Sequence, residues 1–111
     1  MKKFMAFYVA PMSVMQQLAQ STPEQTKAGM QAWMAWSKKN AKSVVDLGAP
    51  LGKGKRVAKS GAKNSASEIT GYSILQGSSL AGITKIFTGH PHLKLPGASI
   101  EVIEVMPTPG T

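Results

Sequence analysis

Two histidines, His90 and His92, stand one residue apart across Pro91 and are the only imidazoles in the chain. Imidazole titrates closest to neutrality of any ordinary side chain, so a rigidly spaced pair can present an acid and a base, or begin a metal site. A metal site needs three or four ligands. With no cysteine, the remaining donors are five carboxylates. His92 is therefore the candidate catalytic or hydrogen-bonding residue and His90 a candidate substrate-binding neighbour. The competing reading makes both of them turn residues that pack a loop. No phosphate-loop spacing, dinucleotide fingerprint, nucleophile elbow or metalloprotease motif is present, so neither a cofactor nor a metal is expected.

Glu101 and Glu104 are three apart in the apolar run Ser99–Met106. In a strand they fall on opposite faces, so they cannot form a paired-carboxylate site within one chain. Glu101 is kept as a substrate-binding candidate, with His92, Arg56 or a lysine as its possible partner. Trp33 and Trp36, also three apart, share one helix surface and can wall an apolar pocket with Tyr8 or Tyr72. The plainer alternative is core packing for one indole and interface packing for the other.

Lys53, Lys55, Arg56, Lys59 and Lys63 crowd a glycine- and serine-rich stretch. Clustered cations bind phosphate backbones by releasing counterions. Here no aromatic residue is interleaved to stack on bases. A solvated hairpin is the favoured reading, and nucleic acid is not an expected partner.

These residues must be positioned by a single domain, expected over residues 1–107 with an irregular tail at 108–111, because 111 residues leave no room for two cores. The apolar run Phe4–Ala10 ends at Pro11 and is too short for a signal core or a membrane span. A cytoplasmic protein without membrane contact is expected. Charged residues make up 16% of the chain, against roughly a quarter in an average domain. A surface so neutral suggests that part of it is covered by a second subunit, despite the net charge of +8.

Residues 4–9 are apolar on both alternating faces and read as a buried strand. Pro11–Ala19 holds one or two helical turns. Thr22-Pro23-Glu24-Gln25 is a capping box with proline at the first helical position, so a helix starts there. Its apolar stripe Met30, Trp33/Met34, Ser37, Ala41, Val44/Val45 predicts about six turns, stopped by Gly48 and Pro50. A short strand is expected around Arg56 and a third strand over Ile69–Gln76, with Gly71 marking a bulge or close approach. Ser78 or Ser79 caps a short helix from Leu80 to Phe87, with Leu80, Ile83 and Phe87 facing inward, and Gly89 ends it. Ser99–Met106 is the last strand. The order βαββαβ is the ferredoxin-like plan of an α+β protein with an antiparallel sheet.

The stretches Gly71-Tyr72-Ser73-Ile74-Leu75, Gly89-His90-Pro91-His92-Leu93, Pro96-Gly97-Ala98-Ser99-Ile100-Glu101-Val102 and Met106-Pro107, with the Trp33/Trp36 helix ending in Gly48-Ala49-Pro50-Leu51-Gly52, resemble the YCII-related family over residues 3–107. That resemblance implies a dimeric α/β barrel, in which two ferredoxin-like protomers place their sheets face to face. It implies no single chemistry, because such folds host enzymes and apparently non-catalytic sensors alike. The Asp-Gly-Pro-Phe loop of one branch is replaced here by Asn64-Ser65-Ala66-Ser67-Glu68. The histidine that another branch carries early in its first helix has no counterpart before His90.

The expectation is a homodimer with a small-molecule pocket in each protomer between the long helix and the sheet. It would bind, or act without a cofactor on, an apolar metabolite, with His92 inside and Trp33, Trp36, Tyr72, His90 and Glu101 around it. The alternative is a non-catalytic dimeric sensing or structural module.

Overall fold

Alternating apolar residues set the long strands, and side-chain caps set the starts of the two helices that pack on the sheet. The computed structural model describes residues 1–109. Its elements are β1 (Lys2–Val9), α1 (Met12–Leu18), α2 (Pro23–Lys39), β2 (Val44–Asp46), β3 (Lys55–Ala58), β4 (Gly61–Asn64), β5 (Ile69–Gly77), α3 (Leu80–Ile86), a 3-10 turn (Pro91–Lys94) and β6 (Ser99–Val105). Strands β2, β5, β1 and β6 form one sheet in that order, all neighbours antiparallel. The protein is thus α+β with an antiparallel sheet, consistent with a ferredoxin-like fold. In the expected tail, Thr108 and Pro109 form no helix or strand, while Gly110 and Thr111 lie outside the described residues. Among the described residues no helix is long and apolar enough to cross a membrane.

The start of α2 follows the sequence closely. The Gln25 N–H donates to Thr22 Oγ1 at 3.1 Å and the Thr22 N–H donates to Gln25 Oε1 at 3.0 Å. The end does not follow it. The helix stops at Lys39, where the Asn40 side-chain amide donates to the Trp36 carbonyl at 2.9 Å and satisfies one of the open carbonyls of the last turn. Val44 and Val45 therefore leave the helix and form the edge strand β2, where β-branched residues pack well against a neighbouring strand. The strand expected around Arg56 is consequently not part of the main sheet. It is one arm of a separate hairpin, β3–β4, in which every residue is exposed.

The inward face of α2 also differs from the expected stripe. Met30 and Met34 point to solvent, 63% and 48% exposed, while Trp36 is buried and Trp33 packs against the core. The indoles carry the larger apolar area, so the helix turns them inward at the expense of the thioethers. Ser79 caps α3 by accepting from the Gly82 N–H at 3.0 Å. Ile83 and Phe87 are buried, but Leu80, expected to face inward, is exposed.

Register divides the sheet into two faces. Phe4, Ala6 and Tyr8 lie opposite Leu75, Ser73 and Gly71 on one side and Glu104, Val102 and Ile100 on the other. This face carries the core, with Trp36, Ile83 and Phe87 from the helices packed on it. The other face presents Met5, Phe7, Tyr72, Ile74 and Glu101, with Ile103 and Val105 nearly half exposed. Gly71 marks the expected irregularity. The β1–β5 register shifts between Tyr8 and Val9, and a Cβ on Gly71 would stand 3.4 Å from both the Ala49 carbonyl and the Tyr8 ring.

Candidate functional site: an aromatic and imidazole cluster beside a groove

Tyr8, at the end of β1 on the core face, is the hub of the cluster. Its ring meets Trp33 of α2 at 4.6 Å between centroids, His90 at 5.2 Å in a stacked arrangement, and His92 at 5.3 Å edge-on. Proton positions around its hydroxyl follow from the acceptors present. Ser73 Oγ donates to the Leu47 carbonyl at 2.6 Å, so the Tyr8 hydroxyl must donate to Ser73 Oγ at 2.8 Å. Burial raises the Tyr8 pKa and outweighs the lowering by the Ser73 bond. The phenol is a fixed, neutral donor.

His90 and His92 are both buried, at 0% and 5% exposure. His90 caps the 3-10 turn: its Nδ1 accepts from the His92 backbone N–H at 3.0 Å. That bond fixes the tautomer, placing the ring proton on Nε2. Nε2 is the one buried side-chain polar atom among the described residues without a hydrogen-bond partner. The His90 ring is flanked by Trp33, at 4.5 Å between centroids and 89°, and by Trp36, at 4.6 Å and 69°. Desolvation, followed by repulsion from His92, lowers the His90 pKa to about 4.

The His92 ring is committed elsewhere. Its Nε2 lies 2.9 Å from the Val9 carbonyl, an acceptor only, so Nε2 carries the proton and ties the turn to the end of β1. Trp36 Nε1 donates to the Ile86 carbonyl at 2.8 Å, joining α2 to the end of α3.

Of the residues singled out by sequence, Trp33, Trp36, His90 and His92 come together. Tyr72 and Glu101 do not, because the strand register sets both, opposite Phe7, on the far face of the sheet. Glu104 is on the cluster's face but at its edge, where it pairs with Lys2 at 3.3 Å. Tyr8 is the member that the sequence offered only as an alternative to Tyr72. The signal that separates them is parity: Tyr8 shares the face of Phe4 and Ala6, whereas Tyr72 alternates with the buried Ser73.

The space between α2 and the sheet, expected to hold the pocket, is filled by this cluster. A groove of about 580 Å³ lies instead on the outer side of Trp36, lined by Ala32, Ala35, Lys39 and Asn40 of the α2 end and by Lys85, Ile86, Thr88, Gly89, Pro91 and Lys94. Neither imidazole lines it. A shallower depression of about 380 Å³ runs along the outer face of α2, beside Met30 and Met34. Among the described residues, no three histidine or carboxylate side chains come within reach of one metal ion.

No family model matches the chain, and no curated protein matches it. Among solved structures it is similar to the 5-chloro-2-hydroxyhydroquinone dehydrochlorinase of Burkholderia phenoliruptrix AC1100 in complex with 2,5-dihydroxybenzoquinone, at 14% identity over 91% of each chain and a TM-score of 0.49. At that distance neither the neighbour's chemistry nor its ligand passes to this chain. The site is described by its own residues: an aromatic and imidazole layer, with the buried Trp36 also among the residues that line an open groove.

Proposed function

We propose that the protein is a homodimeric small-molecule-binding protein of the YCII-related, dimeric α/β barrel type, which holds an apolar metabolite in the groove beside Trp36. The groove carries this reading. Its volume of about 580 Å³ falls within the ~300–1,000 Å³ of ordinary ligand sites. Trp36, one of its lining residues, already satisfies its N–H on the Ile86 carbonyl and brings no unpaired polar atom to it. The cluster behind it holds Trp36 in place.

On this reading His92, expected from sequence as an acid/base group, is a positioning residue that anchors the turn forming one bank of the groove. His90 and Trp33 support Trp36 from behind. Tyr72 and Glu101 belong to the open sheet face, which the second protomer covers.

The test uses N-phenyl-1-naphthylamine, a neutral aromatic probe, followed by energy transfer from tryptophan. Saturable binding is expected. Ala35→Trp, which adds bulk at an exposed lining position outside the core, should weaken it about tenfold or more. Binding that is unchanged by this substitution, or absent from the native protein, defeats the reading.

A further inference from the structure

The charges around the groove narrow what it can hold. Lys39, Lys85 and Lys94 line it, each from a different element, and among the described residues no carboxylate does. The five carboxylates are elsewhere. Glu24 is in the first turn of α2, at the opposite end from the groove. Asp46 accepts from the Gly48 N–H, and Glu68 lies in the loop before β5. Glu101 is on the open sheet face, and Glu104 is paired with Lys2, the one ion pair among the described residues. All three groove lysines are exposed and, among the described residues, enter no ion pair.

Two of the three have an ordinary use, since Lys39 and Lys85 occupy the last turns of α2 and α3. A helix end carries about half a negative charge, so two ends offset roughly one of the three ammonium charges and leave an excess of about two. The rest of the lining offers little to compensate. The Asn40 amide is spent on the Trp36 carbonyl and the Trp36 N–H on the Ile86 carbonyl. Ala32, Ala35, Ile86 and Pro91 supply the apolar part of the same lining. A lining that combines apolar surface with uncompensated cations fits a molecule with the complementary division.

We propose that the groove selects organic anions, with an aromatic or branched apolar body against Trp36 and a carboxylate, sulfonate or phosphate group between the lysines. This deepens the groove reading and rests on it.

The experiment compares 8-anilinonaphthalene-1-sulfonate with N-phenyl-1-naphthylamine, the same aromatic body without the sulfonate. At low ionic strength the sulfonate should bind the native protein about tenfold more tightly. That preference should shrink in concentrated salt, because exposed charges are screened within about 10 Å at 0.1 M. In the triple variant K39M/K85M/K94M the two probes should bind within about twofold of each other. Equal affinities in the native protein, or a preference that survives the triple substitution, overturn the anion proposal while neutral-probe binding leaves the groove reading intact. If neither probe binds, the groove reading fails and takes this proposal with it.

Discussion

His90 is held neutral by its surroundings. Its Nδ1 is occupied by the His92 N–H, its ring packs against both indoles, and its pKa falls to about 4. In the unfolded chain the same ring titrates near 6.5. Between those values the unfolded state binds more protons than the folded one, so stability rises with pH across the window. The contribution is complete above about pH 6.5 and lost as pH falls toward 4, amounting to roughly 3 kcal/mol for a shift of this size. Urea denaturation at pH 7 and pH 4.5 should show this loss, and His90→Asn should flatten the slope. An unchanged slope in the variant would assign the pH dependence to the carboxylates. The His-Pro-His spacing was legible as a feature of interest, but whether it reacts or packs depends on burial, which one local stretch does not encode. Trp33 and Trp36 were more legible, because a spacing of three places both on one helix surface, and both rings meet His90.

At the level of elements, the edge of the main sheet depends on a backbone contact. Gly48 has a φ of +82°, and a Cβ there would stand 1.7 Å from the Tyr72 carbonyl oxygen. Gly89 has a similar φ of +77° with nothing within 4 Å of its missing Cβ. Gly89→Ala should therefore cost only the left-handed strain, about 1 kcal/mol. Gly48→Ala adds a backbone clash and should cost several times that, about 4 kcal/mol or more. Thermal melts of the two variants check the ranking, and equal melting temperatures would contradict it. The sequence supplied Gly48 as a stop signal, but for the wrong element. The apolar period of α2 runs on through Val44 and Val45, and nothing in that period reveals that Asn40 closes the helix first. The hairpin was legible as a loop but not in its register, which sets Arg56 directly opposite Lys63. Like charges so placed disfavour a hairpin, consistent with a ribbon that contributes nothing to the core.

The molecule as a whole is flat, 46 × 45 × 20 Å, with a radius of gyration of 15.6 Å. A compact chain of this length would have a radius of about 13 Å. Domains bury a sheet by packing a layer on each apolar face, and here helices cover one face only. The scarcity of charge was the legible sign of this, and the register now gives it an address: Met5, Phe7, Tyr72, Ile74, Ile103 and Val105. Sedimentation equilibrium should give a dimer for the native chain. Phe7→Lys with Ile103→Lys should give a monomer that retains its circular dichroism. A native monomer at micromolar concentration would remove the dimeric barrel from the proposed function.

The strand order has a consequence for how the chain reaches this state. Residues before the exposed hairpin supply β1 and β2, and residues after it supply β5 and β6. Each of the three pairings, β2 with β5, β5 with β1 and β1 with β6, joins the early half to the late half. While a ribosome is still making the hairpin, the emerging chain can form α1 and α2 but no part of the sheet. Both tryptophans are then already made, before the strand that helps to bury them has a partner. Synthesis of β5 is the moment at which the sheet can begin, and until then the early half depends on remaining soluble while unpaired.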